Sequence, residues 1–275
     1  MASFDFKGKN IHYEVHGETH GEGAPLVLLN GIMMSTLSWY PFIASLSANN
    51  QLILVDFIDQ GQSYRVDADY TLDLQVEVLH ALFVHLGIER AAVAGISYGG
   101  NVALKFAAAY PDRVHRLMVF NAAAKTGAWL RELGESWIAA ADDAVRFYNT
   151  TIPIIYSKEF YNSRPEWVKV RKDFLTTQIF TNKIFMDGIV RLTRSADTYD
   201  VEADLGNITA KTLLVASEAD PITPPADQHK LRQMIKGADL VLLPGAGHAT
   251  MYERPELFVS LITGFANAKL EGLVV

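Results

Sequence analysis

The sequence predicts an α/β fold: a mostly parallel central sheet flanked by helices, with a helical segment inserted before the last two strands. Three observations carry this expectation. Short continuous apolar runs recur along the chain, amphipathic helical stretches lie between them, and the interval 122–207 holds helical patterns without a buried strand.

Taken in order, Ser3–Lys7 and Asn10–His16 alternate in polarity around Gly8-Lys9, which reads as an opening β-hairpin. Leu26–Leu29, Leu52–Val55, Ala91–Ile96, Leu117–Phe120, Leu213–Ala216 and Leu240–Leu243 follow as uninterrupted apolar runs, the pattern of parallel strands buried on both faces. Between them, Thr71–Leu86 sets Leu72, Val76, Leu79, Leu82, Phe83 and Leu86 at helical spacing. Tyr98–Tyr110 and Glu256–Ala268 carry similar apolar faces. The interval 122–207 is read as a cap over a core made of 1–121 and 208–275. It is rich in aromatics, from Trp129, Trp137, Phe147, Tyr148 and Tyr156 to Phe160, Tyr161, Trp167, Phe174, Phe180, Phe185 and Tyr199. Most of these are expected to pack on one another. A few are expected to face a pocket, because a lobe over the carboxyl edge of a parallel sheet encloses the crevice where ligands bind.

Bulk composition narrows the function. The 275 residues are 49% hydrophobic and 20% charged, as in an ordinary globular enzyme. Lys and Arg number 24 against 31 Asp and Glu, so nothing in the charge balance would gather a phosphate backbone, and nucleic acid is not an expected partner. Cysteine is absent, which removes disulfides, thiolate nucleophiles and Cys-based zinc sites together. With no membrane span and no signal-like apolar stretch, the expected location is the cytoplasm. Oligomeric state is open.

Chemistry concentrates in four segments. Gly95-Ile96-Ser97-Tyr98-Gly99-Gly100 lies where a buried strand turns into a helix. A serine at the apex of so sharp a turn needs neighbours without side chains, and Gly95 and Gly99 supply them. The helix that follows offers the backbone N–H of Tyr98 and a positive dipole end beside Ser97. A serine hydroxyl then needs a base. Of eight histidines, His248 follows a late strand on a glycine-rich loop at the same sheet edge. His12 and His16 belong to the hairpin, His20 to a loop, His80 and His85 to a helix, and His115 and His229 to expected surface segments. The His16/His20 spacing suggests a metal pair, but Gly17 and Gly21 argue against the helix that would align them, so no metal is expected.

Asp220, after the strand Leu213–Ala216, is the expected acid that orients the imidazole, with Glu218 and Asp204 as rivals. The chain order Ser97, Asp220, His248 fits this architecture. The loop Leu29-Asn30-Gly31-Ile32-Met33-Met34 ends the first central strand, and Gly31 would turn the N–H of Ile32 toward the site as a second oxyanion donor. Asn30, Met33 and Met34 are the expected substrate contacts, the methionines because their side chains adapt to irregular aliphatic shapes.

Together these segments resemble the α/β-hydrolase superfamily, in pattern and order, from about Ile11 to Phe265. The stretch Asp56-Phe57-Ile58-Asp59-Gln60-Gly61-Gln62-Ser63 is similar to the family's D-x-x-G-x-G-x-S loop, with Asp59 and Gln60 where glycine and histidine are usual. Tyr110-Pro111-Asp112-Arg113-Val114 and Glu253-Arg254-Pro255 are also similar to common members. Asn30-Gly31 departs from the usual His-Gly. With Gly61-Gln62-Ser63 and Ser97-Tyr98-Gly99-Gly100, it resembles the hydroxyacyl transferases that make the lipid part of rhamnolipids, and enol-lactonases of aromatic degradation look similar over the whole chain.

The resemblance implies a cofactor-independent serine hydrolase acting on a small acyl ester, thioester or lactone. A transferase joining hydroxyacyl groups and a binding protein with a silent site are the alternatives. Haloalkane dehalogenases of the same fold need an aspartate where this chain has Ser97. No phosphate-binding or dinucleotide glycine pattern occurs in suitable context.

Overall fold

The computed structural model describes residues 2–18 and 25–268. His20, and with it the His16/His20 pair, lies outside the described residues. Eight strands form one sheet: β1 (Ala2–Phe6), β2 (Lys9–His16), β3 (Leu26–Leu29), β4 (Leu52–Val55), β5 (Ala91–Ile96), β6 (Val114–Phe120), β7 (Lys211–Ser217) and β8 (Asp239–Leu243). Their spatial order is β1-β2-β4-β3-β5-β6-β7-β8. The β1-β2 and β2-β4 pairings are antiparallel, and every pairing from β4 onward is parallel.

The apolar runs are buried on both faces because successive side chains of a strand point to opposite sides. Val27, Leu29, Ile53, Val55 and Val93 enter one core, while Leu26, Leu28, Leu52, Leu54, Ala92 and Ala94 enter the other. The first core is closed by α2 (Asp73–His85), α3 (Tyr98–Ala109) and α9 (Pro225–Met234); the second is closed by α1 (Ile43–Leu46) and α10 (Pro255–Asn267). Strand β8 departs from expectation. It is the sheet's last strand, with β7 on one side only, and Leu242 is exposed. His115 also departs, since it stands half-buried in β6 rather than on a surface segment.

Between β6 and β7 the chain is helical, as its pattern implies: α4 (Ala128–Ala140), α5 (Ala144–Ile155), α6 (Lys158–Ser163), α7 (Pro165–Phe174) and α8 (Lys183–Ser195), with a π-turn at Leu175–Ile179. Local sequence starts several of them. Asp143, Ser157 and Asn182 each accept a backbone N–H of the following first turn, as N-caps do. Several aromatics of this segment pack on one another, Phe147 edge-on to Phe180, and Tyr156 with Phe160 and Trp167, while Trp129 and Phe174 are exposed. One strong link ties the segment down: Arg191 of α8 grips Asp59, in the loop after β4, through bonds of 2.6 and 3.0 Å. No helix among the described residues is long and apolar enough to cross a membrane.

Candidate active site

Ser97 sits between β5 and α3 with φ 54° and ψ −121°, a backbone region that residues with side chains seldom occupy. Its N–H is anchored on the Phe120 carbonyl of β6 at 2.9 Å. The flanking glycines are sterically obligatory. A Cβ on Gly95 would lie 2.2 Å from the Gly99 carbonyl oxygen, and one on Gly99 would lie 2.5 Å from that of Leu29. Gly100, which the motif did not single out, has the same need, because its Cβ would come within 2.8 Å of Ala122 Cβ.

The loop after β8 carries His248 back to this turn. Its Nε2 lies 2.8 Å from Ser97 Oγ, and its Nδ1 lies 2.7 Å from Asp220 Oδ2. A carboxylate only accepts, so Nδ1 carries the hydrogen and Nε2 is left to accept from the serine hydroxyl. Asp220 is itself held on every side: Oδ1 accepts the N–H groups of Ile222 at 2.8 Å and Thr223 at 3.1 Å, and Oδ2 accepts the Thr223 hydroxyl at 2.9 Å. The rivals are elsewhere. Glu218 accepts the Gly245 N–H and is exposed, and Asp204 is exposed on a short 3-10 helix.

Sequence reasoning missed Asn121. It adopts φ 47° directly after β6, and its Nδ2 donates to the His248 carbonyl at 2.8 Å and to Thr250 Oγ1 at 2.9 Å. It missed Glu253 as well, whose carboxylate accepts the Gly247 N–H and both the N–H and hydroxyl of Ser157. Asn121 stands in no spacing pattern, and the Glu253-Arg254-Pro255 segment gave no hint of the bond from Glu253 to Ser157, 96 positions away.

Ser97 and His248 open on a cavity of about 190 Å³. Ile32, Met33 and Met34 line it, and so do Tyr98, Trp137 and Tyr156. Asn30 does not, and its expected substrate contact is corrected. It is fully buried, its Nδ2 donates to the Val55 carbonyl and Gln60 Oε1, and its Oδ1 accepts the Trp39 indole at 2.6 Å. Every polar atom of Asn30 is therefore spent on holding the loop. Gln60 completes the brace by donating to the Gly31 carbonyl at 2.8 Å.

Gly31 also differs in its reason: its φ is not left-handed, and the one tight neighbour a Cβ there would meet is the flexible Met34 side chain, its Sδ at 3.3 Å. Tyr98 gives its hydroxyl to Ser195 at 2.7 Å, and burial pushes that hydroxyl well above the usual phenol range. The opening N–H groups of α3 have no intrahelical acceptor, so they remain available beside Ser97. Such an arrangement can draw a proton from an alcohol and face an oxyanion with backbone donors. Among the described residues no group of His, Asp and Glu could hold a metal ion.

The model of the alpha/beta hydrolase family matches residues 26–261. The chain belongs to that family. An alpha/beta hydrolase enzyme from a Medee basin deep-sea metagenome library shares 42% identity and superposes with a TM-score of 0.95, over 99% of this chain and 100% of that one. The pimeloyl-[acyl-carrier protein] methyl ester esterase of Nitrosomonas europaea is 30% identical over 90% of this chain and 97% of its own length. The 3-oxoadipate enol-lactonase 1 of Acinetobacter baylyi is 27% identical, with 95% of each chain covered. As a member of the alpha/beta hydrolase family, the chain has its β5–α3 turn and post-β8 loop within the matched span.

Proposed function

We propose that this alpha/beta hydrolase cleaves a carboxylic ester, thioester or lactone through an acyl-enzyme on Ser97. The observation that carries the reading is the continuous hydrogen-bonded line from Ser97 Oγ to His248 at 2.8 Å and on to Asp220 at 2.7 Å, in the wall of a largely apolar cavity. The esterase and enol-lactonase relatives point to the same bond class.

In this mechanism His248 Nε2 takes the Ser97 proton as Oγ attacks the carbonyl carbon, and the carbonyl π electrons move onto oxygen. The N–H groups of Ile32 and Tyr98 hold that oxyanion. Collapse breaks the bond to the leaving oxygen or sulfur, which takes the proton from His248. Water, deprotonated by the same imidazole, then attacks the acyl carbon and frees the acid and Ser97. Asp220 stays ionised throughout and holds the imidazolium by its Nδ1 hydrogen. Met33 and Met34 contact the acyl part, the segment 122–207 serves as the cap over the core of 1–121 and 208–275, and the chemistry needs no cofactor.

The test is Ser97→Ala assayed on short p-nitrophenyl esters, with thermal melting to establish that the variant folds. Hydrolysis is expected to fall by about a thousandfold or more. Wild-type rates in a folded variant would overturn the assignment. Free acid as the sole product supports hydrolysis, whereas acyl dimers formed from hydroxyacyl thioesters would replace water with an acyl acceptor.

A further inference from the structure

Two donors in the wall of this cavity have no acceptor. Trp137, on α4, is 8% exposed, and its indole Nε1 is buried without a partner. Arg171, in the last turn of α7, has its Nε buried in the same condition. Both side chains line the space that Ser97 and His248 face. Buried N–H groups are rarely left unpaired, since each gives up its bond to water for nothing. Neither atom has accessible surface of its own, so an acceptor carried by a ligand meets them as these two lining side chains turn on binding.

The surroundings of Arg171 say what kind of ligand. Its guanidinium lies 6.0 Å from the centre of the Tyr252 ring and interacts with the Tyr156 hydroxyl, and among the described residues no carboxylate pairs with it. Arg191 makes the contrast plain, being neutralised by a bidentate grip on Asp59. The other charged group of the lining, Asp197, has guanidinium groups of its own beside it. It is set among Arg131, Arg194 and Glu135, and burial pushes its carboxyl up. A half-buried guanidinium in the cavity lining, beside aromatic rings and with no carboxylate partner, suits a planar anionic oxygen group.

We infer that the substrate carries a carboxylate remote from the scissile carbonyl, that Arg171 receives it, and that the Trp137 N–H donates to a further oxygen of the same molecule. The inference rests on the proposed ester-cleaving reading and narrows it to acid-bearing esters, thioesters or lactones. The apolar remainder of the cavity, with Ile32, Met33, Leu130, Leu133 and Ile222, accommodates the carbon chain between the two ends.

The experiment compares three sets of chromogenic esters on the full-length protein. Mono-p-nitrophenyl glutarate and adipate place the carboxylate on the acyl part, 3-carboxy-4-nitrophenyl butyrate places it on the leaving part, and p-nitrophenyl valerate and hexanoate are neutral controls. One acidic set is expected to exceed the neutral set at least tenfold in kcat/KM. In Arg171→Met that ratio should collapse by at least tenfold, in Arg171→Lys it should be partly kept, and Trp137→Phe should lower it about fivefold. Equal rates for acidic and neutral esters, or a ratio that Arg171→Met leaves intact, would overturn the inference.

A second readout separates this failure from failure of the serine-hydrolase reading. Glutarate should slow fluorophosphonate labelling of Ser97 and quench tryptophan fluorescence in wild type but not in Arg171→Met. Labelling that glutarate never slows sinks the anion site alone. Absence of labelling sinks the hydrolase reading, and the fluorescence titration then still decides whether the cavity binds a carboxylate.

Discussion

Glu253 and Ser157 are joined twice, the carboxylate accepting the Ser157 N–H at 2.7 Å and its hydroxyl at 2.6 Å, while the same group takes the Gly247 N–H at 3.1 Å. One buried acid thereby ties the loop of His248 to the start of α6. Glu253→Gln keeps the size but gives up a charged acceptor, and we expect a loss of about 2 kcal/mol in unfolding free energy, with Ser157→Ala losing about 1. Because Gly247 precedes His248, kcat should fall in Glu253→Gln more than thermal stability alone explains. Chemical denaturation and steady-state kinetics on both variants check this.

Asp59 occupies φ 70° in a buried position and is compensated by Arg191. Arg191→Met strands that carboxylate, at an expected cost of about 3–5 kcal/mol. Adding Asp59→Gly removes the unpaired charge and supplies the residue suited to a left-handed backbone. The double variant should recover most of the loss. Equal destabilisation in single and double variants, by urea unfolding, would count against the coupling.

How much of this could be read in the sequence depended on how local the signal was. Ser97 was legible because its constraint lies within two residues on either side, where the glycines must clear the turn. His248 and Asp220 followed from position after strands at one sheet edge. Asn30 was misjudged because its neighbours in sequence face the cavity while its own side chain turns inward to Trp39 and Gln60. Two of the three departures from the family pattern, Asn30 and Gln60, compensate each other by a hydrogen bond across thirty positions, and only the folded chain brings them together. Arg171 carried no signal at all, being one of three basic residues on a polar helix.

The glycine constraint gives a steric prediction. Gly99→Ala drives a Cβ to 2.5 Å from the Leu29 carbonyl oxygen and 2.7 Å from that of Asn30, both backbone atoms that cannot swing aside. Destabilisation beyond about 4 kcal/mol or failure to fold is expected. Gly206→Ala, where nothing lies within 4 Å, is the control and should fold normally.

His115 supplies a pH prediction. Burial, with Arg90 and Arg116 nearby, holds its imidazole below the usual 6.5, and its Nδ1 is buried without a partner. The unfolded chain therefore binds this proton more readily than the folded one. Stability attributable to His115 is intact above pH 6.5 and drains away as the pH falls through the folded value. His115→Gln should flatten the decline in unfolding free energy between pH 7.5 and 5 relative to wild type. An unchanged slope would contradict it.

The most direct measurement is mass spectrometry of the protein quenched in acid during turnover of a p-nitrophenyl ester. A single acyl adduct should appear and map to the peptide bearing Ser97, and it should be lost in His248→Ala, which lacks the base that both steps use. Turnover with no adduct on Ser97, or an adduct on another residue, would contradict the account.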